Sequence, residues 1–225
     1  MTSEVEYNYD YYPFERTTFF GVYRNAKTYT SLVYLLLTFP LGIAFFVYAV
    51  TGFSVSIGLV FTIVGIFLLY IFLWSLPRIM YIMGLLTDWL VGINMPEKVY
   101  KPHYEGSLFR KALNSLGDSR IWKTFLYFLF PAMPFGIAAF TIVITLLSVS
   151  LGAISFPIVY LVELLLGNYN DWIYYVFDYW APPWVKFVLL ILIPIVGFFL
   201  LTATLHLTNT LALAHGRMVK GILKR

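Results

Sequence analysis

Long apolar runs alternate along this chain with short polar or charged stretches, and four of them cover residues 32–50, 53–74, 125–151 and 185–205. Each holds about 20 residues or more, enough at 1.5 Å per helical residue to cross about 30 Å of hydrocarbon. The pattern predicts an all-α integral membrane protein with four transmembrane helices. A further apolar stretch, residues 154–166, is short and contains Pro157 and Glu163. It reads as an extracytoplasmic extension or a re-entrant, interface-lying segment, with a shorter true crossing as the alternative. Two flanking segments look amphipathic. Ile79, Ile82, Met83, Leu86, Trp89, Leu90 and Ile93 recur at helical spacing, and residues 208–225 set Leu211, Ala214, Met218 and Ile222 against His215, Arg217, Lys220 and Lys224. Both are expected to lie along the inner leaflet, the first ending at Pro96.

The polar positions inside the runs repeat. Residues 38–59 align without a gap on residues 132–153 at an offset of 94, with ten identities that include Pro40/Pro134, Gly42/Gly136, Thr51/Thr145, Ser54/Ser148, Ser56/Ser150 and Gly58/Gly152. Apolar composition alone does not place Pro, Gly, Thr and Ser at matching offsets, so a duplicated two-helix unit is inferred. Because each unit crosses and returns in the same sense, the two are expected to be tandem parallel repeats about an axis along the membrane normal. Matching residues 88–94 to 217–223 raises the offset to 129, which leaves 35 extra residues in the second unit. The predicted organisation is a Tyr-rich cytoplasmic tail (1–22), repeat 1 (23–95), a cytoplasmic linker (96–117) and repeat 2 (118–225) with an extracytoplasmic insertion at 153–185.

Composition and charge orient this scheme. With 60% apolar and 12% charged residues and a mean hydropathy of +0.81, the chain belongs with polytopic membrane proteins. Fourteen of the 15 Lys and Arg fall in three segments on one side of a four-span chain, Lys186 being the exception, while Glu163, Asp171 and Asp178 lie on the other. The positive-inside rule then puts both termini and the linker in the cytoplasm, with the protein in the cell membrane. The net charge of +4 is explained by orientation and by contact with membrane lipid, and calls for no nucleic acid. Some thirty mostly polar and aromatic residues precede the first run, so no cleavable signal peptide is expected.

Candidate chemistry is sparse. There is no Cys, hence no disulfide or thiolate site. Of the three histidines, His206 and His215 are nine apart and so on opposite sides of a continuous helix, and His103 stands alone. No metalloprotease, phosphate-loop or nucleophile-elbow motif occurs. No enzymatic activity, metal or cofactor is therefore expected. Glu163 is the acidic residue set in an apolar run, either an intramembrane functional carboxylate or an interface-exposed side chain. The insertion crowds Trp172, Tyr174, Tyr175, Trp180 and Trp184 around Asp171 and Asp178. Such a cluster serves as an interfacial aromatic belt, or as a recognition surface for an amphipathic or cationic ligand. Small residues also recur at helical spacing: Ser54, Gly58, Thr62 and Gly65, the Thr38-xxx-Gly42 and Ala132-xxx-Gly136 pairs, and Ser148 with Gly152. These serve intramolecular packing, or alternatively a homodimer seam. Pro40 and Pro134 should bend the first helix of each unit alike.

The run of residues 34–46 (YLLLTFPLGIAFF), the turn Val91-Gly92-Ile93-Asn94-Met95-Pro96, the segment Asp118-Ser119-Arg120-Ile121-Trp122-Lys123 and the closing helix His215 to Leu223 together resemble the putative sensor domain at the N-terminus of many bacterial and archaeal histidine kinases. The resemblance covers residues 23–223 and contains no catalytic residue. It implies two tandem two-span units and a sensory role. No phospho-acceptor region or ATP-binding domain accompanies it here, so kinase activity is not carried over. The function expected is a non-enzymatic membrane sensor or regulatory module that relays an extracytoplasmic or membrane signal to a separate protein partner. The alternative is a small integral scaffold or anchor subunit of a larger membrane complex; a transporter is disfavoured because no charge is well placed within the spans.

Overall fold

In the computed structural model the described residues are 18–95, 106–166 and 182–224. Among them there is no strand. A 3-10 turn at Phe19–Arg24 leads into α1 (Ala26–Gly58), α2 (Ile63–Val91), α3 (Leu108–Leu116), α4 (Ser119–Leu129), α5 (Ala132–Leu166) and α6 (Pro183–Lys224). Four stretches are long and apolar enough to cross a membrane: Ala26–Gly58, Ile63–Val91, Ser119–Leu166 and Pro183–Leu223.

Local chemistry explains where these helices begin and end. The Asn25 side chain caps α1 by accepting from the Lys27 amide at 3.0 Å, satisfying a backbone donor that has no partner within the helix. Thr62 caps α2 by accepting from the Gly65 amide at 3.1 Å, while its own hydroxyl donates to the Leu59 carbonyl at 2.7 Å. Gly92, at φ 81°, closes α2 in the left-handed conformation that suits glycine. The last carbonyls of α2 are taken up by α1: Lys27 Nζ donates to Trp89 O at 3.2 Å and Thr30 Oγ1 to Leu90 O at 2.6 Å. Asp118 caps α4 through the Arg120 amide at 2.9 Å, and the Trp122 indole donates to Leu116 O at the end of α3 at 2.6 Å. Two of the segments that carry the family resemblance, 91–96 and 118–123, thus contain a helix stop at Gly92 and a helix start at Asp118.

Four boundaries differ from the sequence reading. Residues 208–224 are no separate surface helix, because α6 runs through them unbroken, and His215 and Lys220, assigned to its polar face, are buried while Ala214 and Met218 are exposed. Residues 53–58 belong to α1 and not to the second span, because the reversal falls at Leu59–Thr62, where the Thr62 cap sits. The segment 79–91 is no separate surface helix: α2 runs through it unbroken, with Pro77 inside. The third apolar run is split between α4 and α5. Pro131, which follows Phe130, has no backbone N–H with which to continue the hydrogen-bond ladder of α4. Pro134 then lies in the first turn of α5, where a missing amide costs no hydrogen bond, so it does not mirror Pro40 inside α1. Residues 154–166 continue α5 to Leu166 across Pro157.

The chain forms two compact units, Met1–Phe140 with Thr208–Arg225, and Thr141–Leu207. In the first, α1 and α2 pack antiparallel, and their interior holds Tyr34, Leu35, Leu76, Met80 and Val91, all fully buried. Earlier residues of α4 meet later residues of α1: Phe125 packs on Phe53 with ring centroids 4.9 Å apart, and Phe128 stacks on Phe45 at 4.7 Å. At the crossing of α1 and α5, a Cβ on Gly42 would lie 2.6 Å from Ala132 O, and one on Gly136 2.6 Å from Thr38 O. In the second unit, α5 and α6 meet where a Cβ on Gly197 would come within 2.8 Å of Ala153 Cβ, beside the buried Ser150.

Candidate functional site

Within the first unit a cluster of hydrogen-bonded polar side chains interrupts the apolar interior. Tyr34 on α1, Thr87 on α2, Tyr127 on α4 and His215 on α6 are each at most 3% exposed. Polar atoms in such surroundings need partners, and here they find one another. Tyr34 Oη lies 2.7 Å from His215 Nδ1 and 2.9 Å from Thr87 Oγ1; Tyr127 Oη lies 2.8 Å from His215 Nε2. The Phe135 ring of α5 stacks on the imidazole, centroids 4.5 Å apart and planes 14° from parallel. Five helices therefore meet at one histidine.

Donor counting sets the direction of the chain. Thr87 Oγ1 donates to the Met83 carbonyl at 2.8 Å, so towards Tyr34 it accepts. Tyr34 spends its proton on Thr87 and must accept from His215 Nδ1–H. A neutral imidazole has one donor and one acceptor nitrogen, which leaves Nε2 to accept from the Tyr127 hydroxyl. The sequence Tyr127 O–H, Nε2, Nδ1–H, Tyr34 O–H, Thr87 O–H, Met83 C=O satisfies every member with a neutral ring. A second proton on the imidazole would force Tyr127 Oη to turn from donor to acceptor. Such a chain can hold helices in register. Among the described residues no three His, Asp or Glu side chains gather as a metal site.

The same part of α6 is seated by close packing. A Cβ on Gly216 would lie 3.0 Å from Thr87 Cγ2, and one on Gly84 2.5 Å from Leu223 Cδ1. Ile93, just after the Gly92 stop of α2, is 1% exposed and its side chain fills the space beside Gly216. One turn of helix and more before His215, Asn209 Nδ2 donates to Thr28 Oγ1 at 3.1 Å. Asn209 Oδ1 and Ser31 Oγ are also buried and have no hydrogen-bond partner among the described residues.

The residues singled out from the sequence lie elsewhere. Asp171, Trp172, Tyr174, Tyr175, Asp178 and Trp180 fall outside the described residues. Glu163 is half-buried near the end of α5, and Trp184, 71% exposed, opens α6. Thr38, Gly42, Ala132 and Gly136 do form a close helix contact. Ser54 and Ser148 are exposed, and a Cβ on Gly58 or Gly152 would meet nothing within 4 Å; the buried small residues are instead Ser56 and Ser150. Thr62 is a cap and Gly65 sits against the Leu59 turn. His215 was visible in the sequence as half of a pair nine residues apart, as a polar position of residues 208–225 and as the first residue of the closing helix of the resemblance, and none of these pointed to a buried site. The signal for it was the lone polar residues within apolar runs, Tyr34, Thr87 and Tyr127, whose convergence no spacing reveals.

Fold and site together define a multi-span helical membrane protein whose C-terminal helix is locked into a buried polar cluster. The chain matches the family described as "Putative sensor" over residues 34–223, and it belongs to that family. Neither a curated protein nor a solved structure matches it.

Proposed function

We propose that the chain is a non-enzymatic membrane sensor module that relays a stimulus to a separate protein partner through α6. The observation that carries this is the seating of His215: the C-terminal part of α6 is held by side chains of α1, α2, α4 and α5, so any stimulus that repacks those helices displaces it. Packed elements of this kind have discrete arrangements rather than a continuous range. Both termini are assigned to the cytoplasm by the positive-inside rule, which puts the released helix on the side where an output protein would meet it. The reciprocal contacts of Gly42 with Ala132 and of Gly136 with Thr38 join equivalent positions of the two repeats, as a two-fold relation between them requires. That supports a duplicated scaffold built to move about a shared crossing.

The test compares the native chain with His215→Phe and Tyr127→Phe. The phenyl ring keeps the stack on Phe135 and removes both hydrogen bonds, each worth about 0.6–1.7 kcal/mol within a membrane. Both variants should insert and fold, while a protein that co-purifies with the native chain in mild detergent is lost or bound without regulation, His215→Phe more severely. Co-purification of a signalling output protein supports the reading. Recovery of respiratory or envelope machinery, unaffected by either variant, would make the chain a scaffold subunit instead.

A further inference from the structure

A groove of about 510 Å³ runs between α1 and α2, lined by Leu41 and Phe45 of the first and Ile82, Met83, Leu86 and Trp89 of the second, among others. No polar side chain lines it. Such a volume lies in the range of small-molecule sites, and a lining without hydrogen-bonding groups suits a hydrocarbon chain. The groove opens on a face whose side chains are exposed and apolar: Ile82 is 64% exposed, Leu85 47% and Trp89 77%. On a membrane-crossing helix pair that exposure is exposure to lipid.

The two ends of the groove differ. Along α2 its lining reaches from Ile79 to Trp89, about 15 Å at 1.5 Å per residue. At the Trp89 end, the Lys27 ammonium is held on the Trp89 carbonyl at 3.2 Å, and the exposed Arg24 precedes α1 by two residues. Tryptophan and lysine side by side mark the headgroup level of a bilayer. An occupant that matches both ends has a hydrocarbon tail in the groove and an anionic head beside Lys27.

We propose that this groove is a binding site for an acyl chain of an anionic phospholipid, its phosphate paired with Lys27. Met83 lines the groove, and its carbonyl accepts the Thr87 hydroxyl that terminates the hydrogen-bond chain from His215. Filling or emptying the groove therefore bears on the turn of α2 to which α6 is tied. That coupling rests on the sensor reading above; the binding itself does not.

The probe is phosphatidylglycerol with a photoreactive acyl chain, added to the full chain in phosphatidylcholine nanodiscs, with adducts mapped by peptide mass spectrometry. Adducts should concentrate on residues 79–89 and 41–45, and unlabelled phosphatidylglycerol should displace them at least fivefold better than added phosphatidylcholine. Ile82→Trp, which fills the groove from a largely exposed position, should cut adduct yield at least fivefold, and Lys27→Glu should cut the preference for the anionic lipid at least threefold. Leu85→Trp replaces Ile82→Trp if the latter unfolds. Adducts spread evenly over other exposed positions such as Val47 and Ile71, no effect of either tryptophan, or equal displacement by phosphatidylcholine would each overturn the site. Because the assay has no output component, failure of the relay would leave these adducts in place.

Discussion

A Cβ at Gly42 or at Gly136 would lie 2.6 Å from a backbone carbonyl oxygen of the other helix, whereas one at Gly58 or Gly152 would meet nothing. The four residues are indistinguishable by repetition, since each is identical to its partner 94 positions away. Only the first pair marks a helix crossing, and backbone cannot yield as a flexible side chain can. Gly42→Ala and Gly136→Ala should each destabilise the chain by about 1–3 kcal/mol through overpacking, read as a lowered unfolding temperature in detergent. Gly58→Ala and Gly152→Ala should leave it nearly unchanged. Equal losses at all four would mean that the crossing is misplaced. At the same scale, His215 shows what spacing conceals: its partners Tyr34 and Tyr127 are 181 and 88 residues away in the chain, and each looks like an ordinary aromatic in an apolar run.

At the scale of elements, helix ends rest on local chemistry and helix continuity does not, although of these ends the sequence reading placed only the turn at 91–96. The Asp118 cap, the Gly92 stop and the Asn25 start depend on neighbours within four residues, so local chemistry suffices. The reversal between α1 and α2 was misplaced because residues 53–58 are as apolar as a new span, and the deciding residue was Thr62. Thr62→Ala removes both its hydrogen bonds and should cost about 0.5–2 kcal/mol, the range for loss of an N-cap. The corresponding check is thermal unfolding, with Thr62→Ser expected to restore most of the loss. If the alanine variant melts like the native chain, the cap is not what places the turn. The amphipathic pattern read over residues 79–93 does not match the burial: of its apolar face Met83, Leu90 and Ile93 are buried but Ile82 and Trp89 are exposed, and Thr87, assigned to the polar side, is fully buried. Periodicity reports that two faces differ and is silent on whether the apolar one meets lipid, as a groove wall does here, or a leaflet surface.

For the whole molecule, four apolar stretches able to cross a membrane follow from length and composition, and membership of the sensor family follows from residues 34–223. Orientation rests on charge alone. Because the chain has no cysteine, single substitutions Ser3→Cys, Ser107→Cys, Lys224→Cys and Asn170→Cys give a clean topology assay. The first three should be protected from an impermeant thiol reagent in intact cells and the last should react; labelling at Ser107→Cys would reverse the assignment. The division between sequence and structure has a physical basis. The sequence by itself determined the class and the number of stretches able to cross a membrane, because hydrophobic runs depend on what is adjacent in the chain. Which glycines meet backbone, which polar residues converge on His215, and that α2 runs unbroken past Pro77 to wall a groove were decided by tertiary packing. Those facts depend on pairs tens to hundreds of residues apart, brought together only when the helices close on one another and exclude lipid from between them.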